Sequence, residues 1–490
     1  MSTKRYNIGG LWPFAIVFQF TLLLFMGGCD KSVDYSDNPH HILSLSADTI
    51  SFDTIFTSIG SATVSMMIYN KNAVALRFSA SLAGAESSDF RMNIDGESGV
   101  SVHNIEIRSN DSLYLFITVT INPDQIDTPL FATDSVLFTL ESGVTQSVNL
   151  IAYGQNVNIV RGATILSDSV FLANKPYLIY DSLFIGPEAT LRIMPGTTLY
   201  FHKGAGLGVS GTLIAAGTLD SIINFRTDRL DNLFSDLPYA NLSGQWEGLR
   251  FYPGSYYNNL EYCQIQGSRY GISAVSRSSD TLTLSLNSIV IHNTEGNGFE
   301  AVNCNVIVGN SLFSNAGGNC VSLVGGRSHF LFCTIANFYP WGERDKSLAV
   351  SNKVLDALFP LHEATFANCV ITGSENEALG GVLIDSLSPQ LNAETSLFII
   401  SNSLLLTTDT LWGDFSNIVL DQSENPVSGS GNFRVINSVD YIYNFRLDSL
   451  SPARNIANKE YVTEYPIDIS GIPRTDTDQP DAGCYQFTLY

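Results

Sequence analysis

The chain has little charge and few residues arranged for reactive chemistry. Of its 490 residues only 15% are Asp, Glu, Lys or Arg, against about 25% in ordinary soluble domains. The formal net charge of −22 at pH 7 argues against nucleic acid as a partner, because an acidic surface repels a polyanion. The Cys and His residues do not show the CxxC or paired-His spacing of zinc sites, and no phosphate-binding loop or GxSxG turn is present. We therefore predict no metal or organic cofactor.

Long apolar runs are also scarce, and the one that could span a membrane lies at the N-terminus. Lys4 and Arg5 precede the apolar stretch 11–26, which ends in Met26-Gly27-Gly28-Cys29. This pattern resembles the lipobox of bacterial lipoproteins. The resemblance implies that residues 1–28 are a signal peptide and that Cys29 receives diacylglycerol. Met26 stands where Leu is commoner, so a plain signal peptide and a single membrane anchor remain alternatives.

A lipid on Cys29 would place the chain at the cell outer membrane or the cell surface. The membrane is then a partner through the lipid anchor, and the polar residues 29–41 form a tether. The sequence leaves open which side of the outer membrane the chain faces.

A short stretch repeats six times in the second half of the chain. The copies begin with Cys or Ser at residues 263, 288, 311, 333, 369 and 403. A large apolar residue follows two places later in each copy: Ile265, Val290, Phe313, Ile335, Ile371 and Leu405. This period of two predicts strands whose alternate side chains face one interior. Strands that recur every 22 to 36 residues without helices are typical of a parallel β-helix.

The positions between the repeated residues predict a structural face. They hold no carboxylate and no base: Gln264, Ile289, Leu312, Thr334, Val370 and Leu404. An enzyme that cuts polysaccharides by hydrolysis needs paired carboxylates, and one that cuts by elimination needs a base. This row therefore argues against a catalytic site on the repeated strands.

Six cysteines remain after Cys29, and their pairing is open. An even number in an exported chain is typical of disulfides. Cys263, Cys333 and Cys369 nevertheless share their repeat position with Ser. Because free Cys behaves as a small apolar residue, we expect a ladder of buried free thiols, with disulfides as the alternative.

The sequence before the repeats predicts an all-β sandwich. Alternating runs such as 63–69 and 113–119 are separated by turn clusters, as in immunoglobulin-like domains. Residues 61–79 resemble the bacterial immunoglobulin-type domains that lie beside surface anchors.

Two further segments resemble exported β-helix proteins. "MPGTTLYFHKGAGLGVSGTLIAAGT" (194–218) and "GQWEGLRF" (244–251) resemble the opening segment of right-handed β-helix proteins of the pectin-lyase-like superfamily. Asp481-Ala482-Gly483-Cys484-Tyr485 resembles the closing segment of choice-of-anchor type Q proteins. We predict an all-β chain in which an immunoglobulin-like sandwich precedes a right-handed parallel β-helix. The predicted divisions are a signal peptide at 1–28, a tether at 29–41, a sandwich at 42–158, a β-helix at 162–440 and a cap of the last coil at 441–490.

The candidate ligand site is an insertion between the fourth and fifth repeats. It gathers aromatic and charged side chains in a chain otherwise poor in charge: Tyr339, Trp341, Glu343, Arg344, Asp345 and Lys346. Aromatic faces beside hydrogen-bonding charges suit a sugar ring. The alternative is a solvated loop whose short helix, at 353–358, covers the solenoid.

Two other places have charged clusters. Arg226, Asp228, Arg229 and Asp231, followed by 256–257, indicate either a site or an internal Arg–Asp network. The acidic run 476–481 could bind Ca²⁺, but it lacks the Gly and distal Glu of an EF-hand, so a solvated loop is the alternative.

These observations favour a cell-envelope lipoprotein that presents a β-helix surface for adhesion or glycan binding and has no catalytic residues. Its other expected partner is a polysaccharide or a surface molecule. The alternative is a polysaccharide lyase or glycoside hydrolase of the pectin-lyase-like fold. Fold alone does not separate the two.

Overall fold

The computed structural model describes residues 34–123, 130–234, 237–374, 377–381, 398–407, 414–421 and 429–489. The predicted signal peptide and lipid attachment at Cys29 lie outside these residues. Within the described ranges the chain is strand and loop, with short 3₁₀ turns at Ala85–Ser87, Tyr239–Asn241, Gly429–Asn432 and Lys459–Thr463. No helix among the described residues is long and apolar enough to cross a membrane. The described residues form two compact units, one within 34–122 and 130–154 and the other within 155–489.

The first unit consists of antiparallel sheets around one apolar core. One sheet contains Ser44–Leu45, Val64–Tyr69, Ser112–Val119, Phe90–Ile94 and Glu97–Gly99. The other contains Thr49–Phe56, Thr145–Gln155, Leu130–Leu140, Leu76–Leu82 and Ser101–Ile107. Alternate residues of each strand point inward, and the rings of Phe52 and Phe90, from different sheets, lie 6.0 Å apart. The predicted alternating runs therefore form strands that share one core.

The second unit is a parallel β-solenoid with three faces. Face 1 contains Ser169–Phe171, Thr190–Ile193, Thr212–Ala216, Asn258–Glu261, Leu284–Asn287, Asn305–Gly309, Gly326–Leu331, Leu361–Ala367, Phe398–Ser401 and Asp414–Ser416. Face 2 contains Thr198–Phe201, Ile223–Thr227, Cys263–Gln266, Val290–Thr294, Leu312–Ala316, Thr334–Asn337, Val370–Gly373, Leu404–Leu405 and Val419–Leu420. Face 3 contains Gly206–Val209, Gly248–Phe251, Ile272–Val275, Phe299–Val302, Val321–Val324, Leu348–Ser351 and Leu379–Gly380.

The remaining strands begin the solenoid or form small hairpins. Asn158–Ile165 and Tyr177–Ile185 are long strands that run through faces 2 and 3 of the first coils. The antiparallel pairs are Asn232–Phe234 with Leu237–Pro238, Lys353–Val354 with Ala357–Leu358, and Phe433–Asn437 with Ile442–Leu447.

The predicted interior column is present on face 2, with one correction. In register, the stacked residues are Ile265, Ile291, Phe313, Ile335, Ile371 and Leu405, all fully buried. Val290 was predicted to point inward but is paired with Gln264 and Leu312 and lies on the outer side. In this coil the predicted repeat began one residue too early. Ile289, and not Ser288, occupies the position that holds Cys or Ser in the other repeats, and it is buried. Each buried side chain of this size stabilises the fold by about 1.5–3 kcal/mol.

The turn from face 1 to face 2 uses a left-handed backbone conformation in coil after coil. The stacked residues have φ between 45° and 54°: Tyr262, Ser288, Asn310, Phe332, Asn368, Asn402 and Asn417. Asn tolerates this conformation better than most residues. This explains why Asn recurs immediately before the repeats, a signal that the sequence interpretation did not use.

The six cysteines among the described residues are buried and free. Each thiol of the repeat column points toward a carbonyl of the preceding coil, as between Cys263 Sγ and the Ala215 oxygen, 3.4 Å apart, and between Cys333 Sγ and the Val308 oxygen, 3.7 Å apart. The structure thus agrees with the expected ladder and not with disulfides.

Residues 429–489, named here the C-terminal strap, lie along face 2. The Cys484 amide donates to Thr334 Oγ1 (3.1 Å), and the Asn458 amide donates to Asn368 Oδ1 (2.8 Å). Strap residues Phe433, Phe445 and Leu447 pack on the outer row of face 2 and bury Leu312, Val370 and Leu404. The segment that was predicted to cap the last coil therefore covers the side of several coils.

Candidate functional site

The aromatic residues of the predicted loop site are packed into the protein. Tyr339 is buried and its hydroxyl lies 2.8 Å from Ser243 Oγ. Trp341 stacks on Tyr441 of the strap, with ring centroids 4.4 Å apart and an interplanar angle of 13°. A tyrosine thus occupies one face of the Trp341 ring. Tyr339 thus joins the loop to the solenoid, and Trp341 joins it to the strap.

The charged residues of the same loop border one cavity, although two of them donate hydrogen bonds to backbone carbonyls. Arg344 Nη1 donates to the Tyr339 carbonyl (3.1 Å), and Lys346 Nζ donates to the Glu377 carbonyl (3.1 Å). Glu343 and Asp345 are exposed. The cavity beside them, of about 370 Å³, is lined by residues 342–346 alone. Ligand binding at this loop stays a prediction.

The helix predicted at 353–358 is wrong. Lys353–Val354 pairs with Ala357–Leu358 as an antiparallel hairpin. Leu355 lies in the tight turn with φ +52° and is 89% exposed. This turn prevents the i to i+4 hydrogen bonds of a helix, so no helical face covers the solenoid here.

The second charged cluster, at 226–231, takes part in two separate interactions. Arg229 donates to both carboxylate oxygens of Asp231, at 2.7 and 2.6 Å, and its guanidinium lies 3.8 Å from the centre of the Tyr239 ring. This pair matches the expected Arg–Asp network. Asp228 is not part of it and instead accepts a hydrogen bond from His202, with Nδ1 and Oδ2 2.6 Å apart.

His202 and Asp228 belong to a column of side chains from four successive coils, named here the corner column: Arg161, Tyr180, His202 and Asp228. The Arg161 guanidinium lies 4.1 Å from the centre of the Tyr180 ring, and the rings of Tyr180 and His202 are 4.6 Å apart. Parallel register creates this juxtaposition, because residues about twenty positions apart in sequence become neighbours.

The corner column has the electrostatics of an acid–base pair. The Asp228 side chain is 10% exposed and that of His202 is 49% exposed. Burial raises the pKa of Asp228, and the hydrogen bond from His202 opposes that rise. Burial and the charge of Asp228 raise the pKa of Tyr180, while Arg161 lowers it. The contact with Asp228 occupies Nδ1 of the His202 ring.

A groove lies on the outer side of face 3 beside this column. It has a volume of about 210 Å³, and the side chains that shape it are Ser182, Phe184, Glu247, Arg250, Tyr252, Tyr270 and Ser273. The rings of Phe184 and Tyr252 lie 5.9 Å apart. Gly208 makes room between them, because a Cβ there would lie 2.8 Å from Phe184 and 3.2 Å from Tyr252. We name this cavity the face 3 groove.

The face 3 groove combines ring faces with groups that form hydrogen bonds. Arg250 is exposed, and the Glu247 carboxylate lies 3.6 Å from Arg269. Ser182, in the lining, is two residues after Tyr180 of the corner column, so the two features are adjacent. Sequence reasoning named Asp228 of the corner column but missed its partners and the groove, although the opening segments at 194–218 and 244–251 contain several of the residues.

The acidic run 476–481 contains one buried and two exposed carboxylates. Asp481 is buried and accepts hydrogen bonds from Gln486 Nε2 (2.8 Å) and from the amide of Phe487 (2.7 Å). Asp476 and Asp478 are exposed. No group of three or more His, Cys, Asp or Glu residues arranged to hold a metal ion occurs in the described part of the chain. Calcium binding at this run stays a prediction.

The chain matches no protein-family model and no curated protein sequence. Solved structures with a similar region include a family 123 glycoside hydrolase from Clostridium perfringens, at 10% identity and a TM-score of 0.18, which covers 22% of this chain and 23% of that chain. Others are a PapD-like domain of human CEP192, at 10% identity and a TM-score of 0.17 over 27% and 94% of the two chains, and the Escherichia coli chaperone DraB, at 12% identity and a TM-score of 0.17 over 23% and 54%. TM-scores this low carry no argument about function.

Proposed function

We propose that this chain is a cell-envelope lipoprotein that binds glycans in the face 3 groove. In this proposal diacylglycerol on Cys29 anchors the chain, residues 42–158 are an immunoglobulin-like spacer, and the solenoid is a right-handed β-helix. The support for glycan binding is the composition of the groove, in which Phe184 and Tyr252 flank a gap at Gly208 beside the charged groups Glu247 and Arg250. Sugar rings pack on aromatic faces while their hydroxyls bond to charged and polar groups.

Polysaccharide binding by variants of the groove tests this function. We expect Tyr252→Ala and Arg250→Gln each to weaken binding at least about tenfold, since each removes a ring contact or a charge-assisted hydrogen bond. The measurement is retardation of the purified chain in gels that contain neutral or acidic polysaccharides. Tyr257→Ala is the matched control, because Tyr257 is 65% exposed and does not line the groove. Unchanged binding by Tyr252→Ala, or no retardation by any polysaccharide, would contradict the proposal.

A second candidate function is cleavage of an acidic polysaccharide, and the corner column is the observation that favours it. In a β-elimination, His202 Nε2 would take the proton from the sugar carbon next to the carboxylate, and the bond from the neighbouring carbon to the leaving oxygen would break. Arg161 would neutralise the carboxylate, and Tyr180 would protonate the leaving oxygen. The same polysaccharide panel separates the two functions, because cleavage releases unsaturated products and requires His202, whereas binding alone releases none.

A further inference from the structure

A second cavity lies where the strap meets face 1, away from the face 3 groove and the corner column. Its volume is about 390 Å³, within the range of small-molecule sites. The face 1 strands contribute His329, Glu363 and Thr365 to its lining. The strap contributes Tyr461, Glu464 and Tyr465. Neither the proposed glycan binding nor the candidate cleavage uses any of these residues.

The strap wall of this cavity is fixed by close packing. A Cβ at position 309 would lie 2.0 Å from the Tyr465 ring and hydroxyl, so the ring fits only against glycine. Burial raises the pKa of the Tyr465 hydroxyl, and the nearby carboxylates of Glu464 and Glu261 raise it further. The Tyr465 hydroxyl therefore stays protonated at neutral pH.

Polar contacts also hold the side chains of the face 1 wall in place. His329 Nδ1 lies 2.9 Å from Thr365 Oγ1, and His329 Nε2 lies 3.5 Å from Glu363 Oε2. The imidazole is thus placed between a hydroxyl and a carboxylate, and it directs the Glu363 side chain. Ile307, which is 42% exposed, adds an apolar surface to the lining.

The charge of the cavity selects the class of ligand. Two carboxylates line it, and none of its described lining residues is Lys or Arg. An anion is repelled there, and a neutral sugar leaves the charge of Glu464 uncompensated, whereas the Glu363 carboxylate already lies 3.5 Å from His329 Nε2. A cation is attracted both by carboxylates and by the faces of tyrosine rings.

We propose that this cavity binds a small organic ammonium ion. The carboxylates of Glu363 and Glu464 bind the charged nitrogen, and the apolar part of the ligand packs on Tyr461 and Ile307. The chain as a whole attracts such ions, because its net charge is −22 at pH 7.

Calorimetric titration of the full mature chain with three phenyl compounds of similar shape tests the proposal. They are 2-phenylethylamine, the neutral 2-phenylethanol and the anionic 3-phenylpropionate. We expect the amine to bind and the other two to bind at least about tenfold more weakly, since they cannot form the charge-assisted hydrogen bonds of the ammonium group. Glu363→Gln and Glu464→Gln should each weaken amine binding by a similar factor.

Two further variants separate the site from general electrostatics. Glu188→Gln removes an exposed carboxylate that does not line the cavity, and it should leave amine binding unchanged. Gly309→Ala should weaken binding by displacing Tyr465. Three results would overturn the proposal: no binding of the amine, equal binding of the alcohol, or unaltered affinity in a folded Glu363→Gln, Glu464→Gln double variant. None of these results bears on glycan binding in the face 3 groove.

Discussion

At the scale of single residues, position along a coil decides what a side chain does. His292 and His202 lie on the outer side of the same solenoid, yet the strap packs on the first, while the second is half exposed. His292 contacts Tyr443 and Phe445 of the strap, with ring centroids 5.5 and 6.2 Å away, and its Nδ1 lies 2.9 Å from Ser314 Oγ. The sequence offered no partner for His292, because the residues that bury it are about 150 positions away.

We predict that acid destabilises the solenoid through His292. Burial lowers the pKa of this imidazole from 6.5 to about 4, so the folded state binds fewer protons than the unfolded state between these values. Stability is therefore retained above pH 6.5 and lost as the pH falls toward 4, by about 3 kcal/mol. Urea unfolding at pH 7 and pH 4.5 measures this loss, which should be smaller in His292→Gln. His103→Gln, at an exposed histidine, should show the wild-type pH dependence, and an equal loss in both variants would disprove the role of His292.

At the scale of elements, the strap completes face 2. The outer row that contains Leu312, Val370 and Leu404 is apolar because it is an interior surface, covered by a segment that comes later in the chain. The strap itself is joined to the solenoid by polar groups at its edges. Arg474 is fully buried, donates to Asn310 Oδ1 (2.7 Å) and lies 4.2 Å from the centre of the Phe332 ring. Its partners are the left-handed turn residues, so one column both shapes the coils and holds the strap.

We predict that Gly483→Ala destabilises the packing of the strap on face 2 by more than the cost of backbone strain alone. Gly483 has φ +92°, and a Cβ there would lie 2.7 Å from Thr334 Oγ1 and 3.0 Å from Val370 Cγ2. Gly204 has a similar φ of +81° with nothing within 4 Å of its Cβ position, so Gly204→Ala measures the backbone cost alone, about 1–2 kcal/mol. The clash should add about 1–3 kcal/mol at Gly483. Hydrogen exchange of strap amides provides the measurement, and equal protection in the two variants would contradict tight packing at this point.

At the scale of the whole molecule, the parts that depend on local pattern were predictable. The period of two and the recurrence of Cys or Ser predict stacked strands. Alternation of side chains along a strand and the equivalence of successive coils both leave a periodic pattern in the sequence. The position of Val290 was wrong by one residue, since Ser288 takes up the left-handed turn in that coil. The strap position, the corner column and the face 3 groove depend on contacts between distant segments. The spacing of residues in the sequence does not show which distant segments are in contact unless the register between coils is already known.

Attachment to the membrane is the prediction on which the proposed location of the molecule depends. If Cys29 carries diacylglycerol, then Cys29→Ser should move the chain from the membrane fraction to the soluble fraction of cells and remove the lipid mass from its N-terminal peptide. Cys263→Ser is the matched control, because Ser occupies the equivalent position of other coils, at Ser311 and Ser403. It exchanges the same atoms at a buried position and should keep both the lipid and the membrane location. If Cys29→Ser remained in the membrane fraction, the chain would be held by its apolar N-terminal segment, and the lipoprotein assignment would fail while the solenoid and its grooves would stand.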